Sequence, residues 1–208
     1  MLAIWFKLLK KFGITEVLIN AHANIAHVRQ FLLGRFQDFQ VTLAEEPELL
    51  GSAGTLAANR AWVGSDSSFW VLYADVLTNA NLDRMRRFHE SHLSAATLGV
   101  YRVSDPRRCG IAVVDPSGLV ERFVEKPTDP PGNLAFSGVL IGTQELFEVI
   151  PPQRPADIGF DVIPRLTGRM FAYPIPEFLQ DIGTMENYRQ AQVDWPGVQG
   201  RHEDRFSL

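Results

Sequence analysis

Glu125 and Lys126 set a carboxylate and an ammonium side by side at the end of the apolar pair Phe123-Val124, and Pro127 follows at once. Proline has no N–H and biases the residue before it toward extended backbone, so a strand entering at Phe123 ends there. At a strand terminus the ammonium can hold a phosphate as a point charge, and the carboxylate can accept hydrogen bonds from sugar hydroxyls. Taken alone, the pair reads first as an exposed surface ion pair. Asp75 lies just past the nearly all-apolar run Phe69-Trp70-Val71-Leu72-Tyr73, at the kind of strand end where α/β domains gather ligands. Its local chemistry fits a metal ligand and a turn cap equally well. Asp181 opens Asp-Ile-Gly-Thr, a turn ahead of a helix that Thr184 can cap. Gly51-Ser52-Ala53-Gly54 precedes another helix; its glycines allow close backbone approach, and a helix N-terminus favours an anion. His22 and His27 have no ligand spacing and read as ordinary surface or core histidines.

These groups depend on the elements that carry them. Residues 2–12 read as an amphipathic helix with Leu2, Trp5, Phe6, Leu8, Leu9 and Phe12 on one broad face and Gly13 as the stop. A strand over 16–20, a helix over 25–36 and a strand over 41–45 lead into the glycine loop. A helix over 54–62 follows, and the apolar strand 69–73 reads as a central parallel strand buried on both faces. After a helix over 82–92 the pattern turns to strands at 96–102, 111–115, 120–125 and 136–142. A helix over 144–150, a proline-rich connection over 151–155 and a helical start at 158–166, with Asp161 near its positive end, come next. Strands at 170–174 and 178–181 and a helix over 185–193 close the chain. Alternating strands and helices predict an α/β domain with a doubly wound, mostly parallel sheet, and the strand-rich second half predicts an antiparallel edge in a mixed sheet. Residues 1–196 read as one domain and 197–208 as a polar tail.

The 208 residues, 46% of them hydrophobic, suit one core, and a net charge of −4 gives no reason to expect a nucleic-acid or membrane surface. The single cysteine, Cys109, excludes an intrachain disulfide and a cysteine-based zinc site, and reads as a small apolar filler. The apolar run near Met1 is too short and interrupted for a signal peptide or a membrane span, so the expected location is the cytoplasm.

Glu45-Glu46-Pro47-Glu48-Leu49-Leu50-Gly51-Ser52-Ala53-Gly54-Thr55, the strand ending at Asp75, Phe123-Val124-Glu125-Lys126-Pro127 and Asp181-Ile182-Gly183-Thr184 occur in an order that resembles the sugar-1-phosphate nucleotidyltransferases, nearest the mannose-1-phosphate guanylyltransferase-like branch. The resemblance runs from about Phe6 to Trp195. It implies a Rossmann-like fold and a reaction in which a sugar 1-phosphate attacks the α-phosphorus of a nucleoside triphosphate and releases pyrophosphate. It also implies Mg2+ held by Asp75 and Asp181, with catalysis carried by these two and Lys126. Gly51, Ser52 and Gly54 would lie under the nucleotide. Glu46 would approach the base, where a carboxylate can accept two hydrogen bonds from the guanine edge, which points to GTP. Glu125 would contact the sugar and Lys126 the sugar phosphate, and Gly110 would admit the sugar to the backbone. Ala74 stands where the family usually has glycine. Phe136-Ser137-Gly138 stands where it often has Asn-Ala-Gly, so Ser137 would partly replace the amide beside Gly138, with Asn133 in the preceding loop.

The family opens with a strand, a Gly-x-Gly-x-Arg loop and a Pro-Lys-Pro segment that hold the triphosphate, and this sequence contains no such segment. Arg84, Arg86 and Arg87 lie on a helix and read as solvent-facing. The first strand and loop are therefore expected to be missing, with Met1 falling inside what matches the next helix and neighbouring strands left with open edges. A late recorded start, a degenerate relative and a part supplied by another chain all fit this. The expectation is a nucleotidyltransferase whose activity is impaired in these residues, with a non-catalytic sugar-phosphate- or nucleotide-binding module as the alternative. Its partners would be small molecules, and a homo-oligomer is left open.

Overall fold

The structure, a computed structural model, describes residues 1–198. Helix α1 (Leu2–Lys11) buries Trp5, Phe6, Leu8 and Leu9, and Gly13, at φ 72°, turns the chain away from its end. Strands β1 (Glu16–Ala21) and β2 (Gln40–Glu45) pair in parallel in register Glu16 to Gln40, joined through α2 (Ile25–Leu32). The helix expected to reach Phe36 stops at Leu32. Gly34 takes φ 69°, which a side chain resists, and Phe36 leaves the helix to stack on Phe6 with ring centroids 3.8 Å apart.

Next come α3 (Ser52–Ala58), α4 (Arg60–Val63), β3 (Phe69–Leu72), β4 (Val76–Thr78), α5 (Leu82–Glu90) and β5 (Ala96–Arg102). They are followed by β6 (Gly110–Val114), β7 (Val120–Glu125), β8 (Leu134–Gly142) and α6 (Gln144–Glu148). A wide helical turn at Ile158–Val162 and a tight one at Ile163–Leu166 lead to β9 (Met170–Pro174), β10 (Leu179–Asp181) and α7 (Met185–Asp194). Thr184 caps α7 by accepting the Asn187 N–H at 3.1 Å. Residues 199–208, most of the predicted polar tail, lie outside the described residues; the Gly197 carbonyl accepts from Asn79 Nδ2 at 3.2 Å.

The sheet is mixed. Its order is β7-β6-β8-β5-β9, with β3 also on β8. Strand β8 has β5 along one side; its other side takes β6 at Ala135 and β3 from Val139 to Gly142. Pairing is parallel in β1–β2 and β5–β9 and antiparallel where β8 meets its neighbours. Strand β3 departs from the reading of a central parallel strand. It runs antiparallel to β8, and its four residues are half-buried. Successive side chains of β8 point to opposite faces, so Leu140 joins a core cluster with Leu98, Ile158 and Leu166, while Val139 and Ile141 join Trp5, Leu8, Leu82 and Met85. The molecule therefore has one packed layer on each side of the sheet.

Strands β1 and β3 each have a single strand neighbour among the described residues, and between them lies a slot of about 570 Å³. Consecutive residues Glu16 to Asn20 and Phe69 to Asp75 all line it. Side chains alternate across a strand, so only strand edges can present every residue in turn. Helix α1 contributes Leu2, Trp5, Phe6 and Leu9, and the α3–α4 region contributes Thr55, Leu56 and Trp62. Two buried polar atoms on this lining have no hydrogen-bond partner among the described residues: Trp5 Nε1 and Glu46 Oε2. The open edges expected from the sequence are thus present as facing rims of one cavity.

Candidate active site

Strands β4 and β10 pair antiparallel with Asp181 opposite Val76, and the Ile182 N–H donates to the Asp75 carbonyl at 2.9 Å. This short ladder brings together the two carboxylates that the sequence places far apart. Both are exposed. Partial burial pushes the Asp75 carboxyl above its ordinary range, and the like charge of Asp181 pushes it further. Asp181 also makes the local turn, accepting the Gly183 N–H at 2.9 Å through one oxygen.

The glycine loop is more closed than its sequence suggests. Helix α3 begins at Ser52, two residues before the expected start, because its first turn is tied to the segment around Asp157. The Ala53 and Gly54 N–H groups both donate to the Ala156 carbonyl, at 2.9 and 3.2 Å. Ser52 Oγ donates to Asp157 at 2.9 Å and accepts the Ile158 N–H at 2.8 Å. Gly51 has φ 76°, and a Cβ there would stand 2.3 Å from the Ala156 oxygen, so this position requires glycine for both conformation and space. The donors expected to face a nucleotide are therefore engaged within the protein, while Gly51 and Ser52 still line the slot.

Glu125 and Lys126 lie at the end of β7, where Gly110 is the cross-strand partner of Glu125. A Cβ on Gly110 would fall 2.3 Å from a Glu125 carboxylate oxygen, and one on Gly159 would fall 2.4 Å from the same oxygen. Glu125 thus lies between two bare backbones, and burial pushes its carboxyl above the usual range while Lys126 works against the rise. Gly110 leaves space for Glu125 itself rather than standing as an open wall for a ligand. Lys126 is exposed and takes φ 47°, a left-handed conformation unusual for a side chain of its size.

Tyr73 links the two halves. Burial holds its phenol far above the ordinary range; a hydrogen bond with Ser52 opposes this, and the negative charges of Asp157, Glu125 and Asp75 add to it. Cys109 reports the same convergence: burial raises its thiol first, and Asp181 and Glu125 raise it further. The charges of Asp75, Glu125 and Asp157 thus act on Tyr73, and those of Asp181 and Glu125 on Cys109.

Glu46 is 4% exposed. Its Oε1 accepts from Thr55 Oγ1 at 2.5 Å, and its Oε2 is the unpartnered atom on the slot. Of the surface and core readings left open for His22, the structure has the exposed one, with Nδ1 2.9 Å from the Glu46 carbonyl.

Ser137 is not brought to this site. It is 2% exposed inside the sheet, its Oγ accepts the Val139 N–H at 3.1 Å, and it lies against Gly99. The left-handed Gly138 irregularity next to it explains this, since the hydroxyl takes up an N–H that the bend in β8 leaves over. Asn133 is on the surface and accepts from Arg102 at 2.9 Å. Arg84, Arg86 and Arg87 are exposed on α5, with Arg86 bound to Asp83 and Glu90. Sequence reasoning missed Tyr73, Asp157, Gly159 and Phe160. Asp157 carried a usable signal, an Asp immediately before a helical start, and it caps that turn by accepting the Gly159 and Phe160 N–H groups.

A mixed sheet packed on both faces, with acids at its strand ends, defines an α/β domain, and sequence comparison identifies its class. A model of the family described as Nucleotidyl transferase matches residues 1–196, and the chain belongs to that family. It is 32% identical over 191 residues to "Probable mannose-1-phosphate guanylyltransferase 2" of Oryza sativa subsp. japonica, covering 86% of this chain and 52% of that protein. The same coverage and identity hold for "Mannose-1-phosphate guanylyltransferase 1" of Arabidopsis thaliana. The chain thus spans about half the length of these relatives. In fold it is similar to HddC from Yersinia pseudotuberculosis, with a TM-score of 0.75 and 22% identity over 91% of this chain and 82% of that one. No helix among the described residues is long and apolar enough to cross a membrane.

Proposed function

We propose that this chain carries the metal and sugar-phosphate side of a nucleotidyltransferase that joins GTP to a sugar 1-phosphate and releases pyrophosphate. The observation that carries this reading is the β4–β10 ladder, which sets Asp181 beside Asp75 with their charges interacting. Two converging carboxylates fit a hard divalent cation. No cluster of three or more His, Cys, Asp or Glu that could hold a metal occurs among the described residues, so the remaining ligands would be phosphate and water oxygens, the usual manner of Mg2+. When bound, Mg2+ would offset the negative charge gathered on the phosphates.

In the reaction, an oxygen of the sugar phosphate bonds to the α-phosphorus in line as the bond from that phosphorus to the pyrophosphate oxygen breaks. Such chemistry asks mainly for positioning and charge neutralisation. Lys126 would hold the attacking phosphate and Glu125 would accept from sugar hydroxyls. The free Glu46 Oε2 would accept from the guanine edge, with Thr55 fixing the carboxylate through its other oxygen. Gly51 and Ser52 would shape the nucleotide side mainly as packed backbone. The sequence contains no Gly-x-Gly-x-Arg loop to grip the leaving pyrophosphate, so turnover by these residues alone would be slow. The engaged Ala53 and Gly54 N–H groups favour a second reading, a binding module without turnover.

A pyrophosphate-release assay with GTP, Mg2+ and hexose or heptose 1-phosphates separates the two readings. Weak turnover that falls at least about tenfold in Asp75→Asn supports the enzyme. Saturable binding with no turnover, unaffected by Asp75→Asn, supports the module.

A further inference from the structure

Beside the Glu125–Lys126 pair is an aromatic ring that the mechanism above does not use. Phe160 is 56% exposed, although it follows the buried Gly159 and is flanked by the packed Ile158 and Val162. An exposed apolar side chain by itself needs no explanation. Phe160 differs in its position and in how firmly it is held. Its N–H donates to Asp157 Oδ1 at 3.0 Å, and Asp157 is itself bound by Ser52. Gly159 lies directly against the Glu125 carboxylate. The Lys126 ammonium lies 5.7 Å from the Phe160 ring centroid, and Lys126 has the left-handed backbone. Left-handed backbone at a non-glycine residue costs energy, and it persists where the surrounding structure enforces it.

A carboxylate, an ammonium and the face of an exposed ring therefore stand together at the end of β7. Each suits a different part of one ligand. The ammonium suits a phosphate and the carboxylate suits hydroxyl groups. The ring, with its electron-rich face, suits the weakly positive C–H face of a pyranose. We propose that Phe160 is the platform on which the sugar ring of the sugar 1-phosphate stacks, favouring pyranoses with an uninterrupted C–H face over acyclic phosphates. This rests on the sugar-phosphate reading of Glu125 and Lys126 given above. In the free protein the ring also gives the Lys126 ammonium a resting place, which a bound phosphate would replace.

The test is calorimetric titration of the full chain with α-mannose 1-phosphate, glycerol 1-phosphate and inorganic phosphate, for the wild type, Phe160→Ala and Phe160→Trp. The ring is exposed, so neither change alters the core, and thermal melts will verify folding. Phe160→Ala is expected to weaken mannose 1-phosphate about fivefold, leave inorganic phosphate and glycerol 1-phosphate unchanged, and be rescued by Phe160→Trp. Unchanged mannose 1-phosphate binding in Phe160→Ala overturns the platform. Equal weakening of all three ligands overturns it too, since the ring would then act only by placing Lys126. If the wild type binds mannose 1-phosphate no better than inorganic phosphate, the sugar-phosphate reading itself fails and the platform falls with it.

Discussion

Gly110 and Glu125 are cross-strand partners in the β6–β7 ladder, and a methyl on Gly110 would lie 2.3 Å from a carboxylate oxygen of Glu125. The position of the acid thus depends on the absence of a side chain on the next strand. The Phe123 ring lies equally close, so there is little room for relief.

Gly110→Ala is accordingly expected to destabilise the protein by about 1–3 kcal/mol through overpacking, and to displace Glu125. Denaturant unfolding measures the first effect and sugar 1-phosphate titration the second. Gly132→Ala, at an open position with nothing within 4 Å, is the control and should change neither. A Gly110→Ala protein as stable as the control would show that Glu125 and Phe123 move aside freely.

Glu46 offers a separate test of base choice. Gln at this position can still accept from Thr55, but it replaces the free acceptor with an amide that donates. Glu46→Gln should therefore weaken GTP about tenfold and leave UTP nearly unaffected, as read by competition binding. Equal losses for both nucleotides would remove Glu46 from base recognition.

His89 makes stability depend on pH independently of any ligand. It lies on the buried face of α5 with Nδ1 2.9 Å from Thr97 Oγ1, and burial pushes its pKa below 6.5, with Glu90 opposing the fall and His92 adding to it. Below pH 6.5 the unfolded chain takes up a proton that the folded chain declines, so stability must decrease as pH falls from 6.5 toward the folded value. Above 6.5 this contribution is constant. Melting temperatures across that range should slope less in His89→Gln than in the wild type. Coincident slopes would count against the assignment.

Much of the secondary structure could be read from pattern alone. Strands 96–102, 120–125 and 170–174 occur with their expected bounds, because alternation and turn residues mark them locally. The pairing of Asp75 with Asp181 was readable only as a resemblance, since the three-residue β4 that joins them carries too short a pattern to detect. The use of Ala53 and Gly54 N–H groups by Ala156, and the burial of Ser137, depend on contacts between distant segments. Local sequence leaves no trace of those. The apolar run 69–73 predicted a central parallel strand buried on both faces; β3 is instead half-buried and antiparallel to β8, and what the run could not predict was that one of its edges would face a cavity.

That cavity divides the two strands beside it into alternating positions. In β1 and β3, alternate backbone amides sit in the ladders with β2 and β8, while by strand geometry those between them face the slot side, where no strand pairs with them among the described residues. Adjacent amides should then exchange with deuterated solvent at very different speeds, giving a two-residue beat of slow and fast sites along each strand. A polypeptide that came to lie in the slot would silence the fast half of that beat on both rims at once.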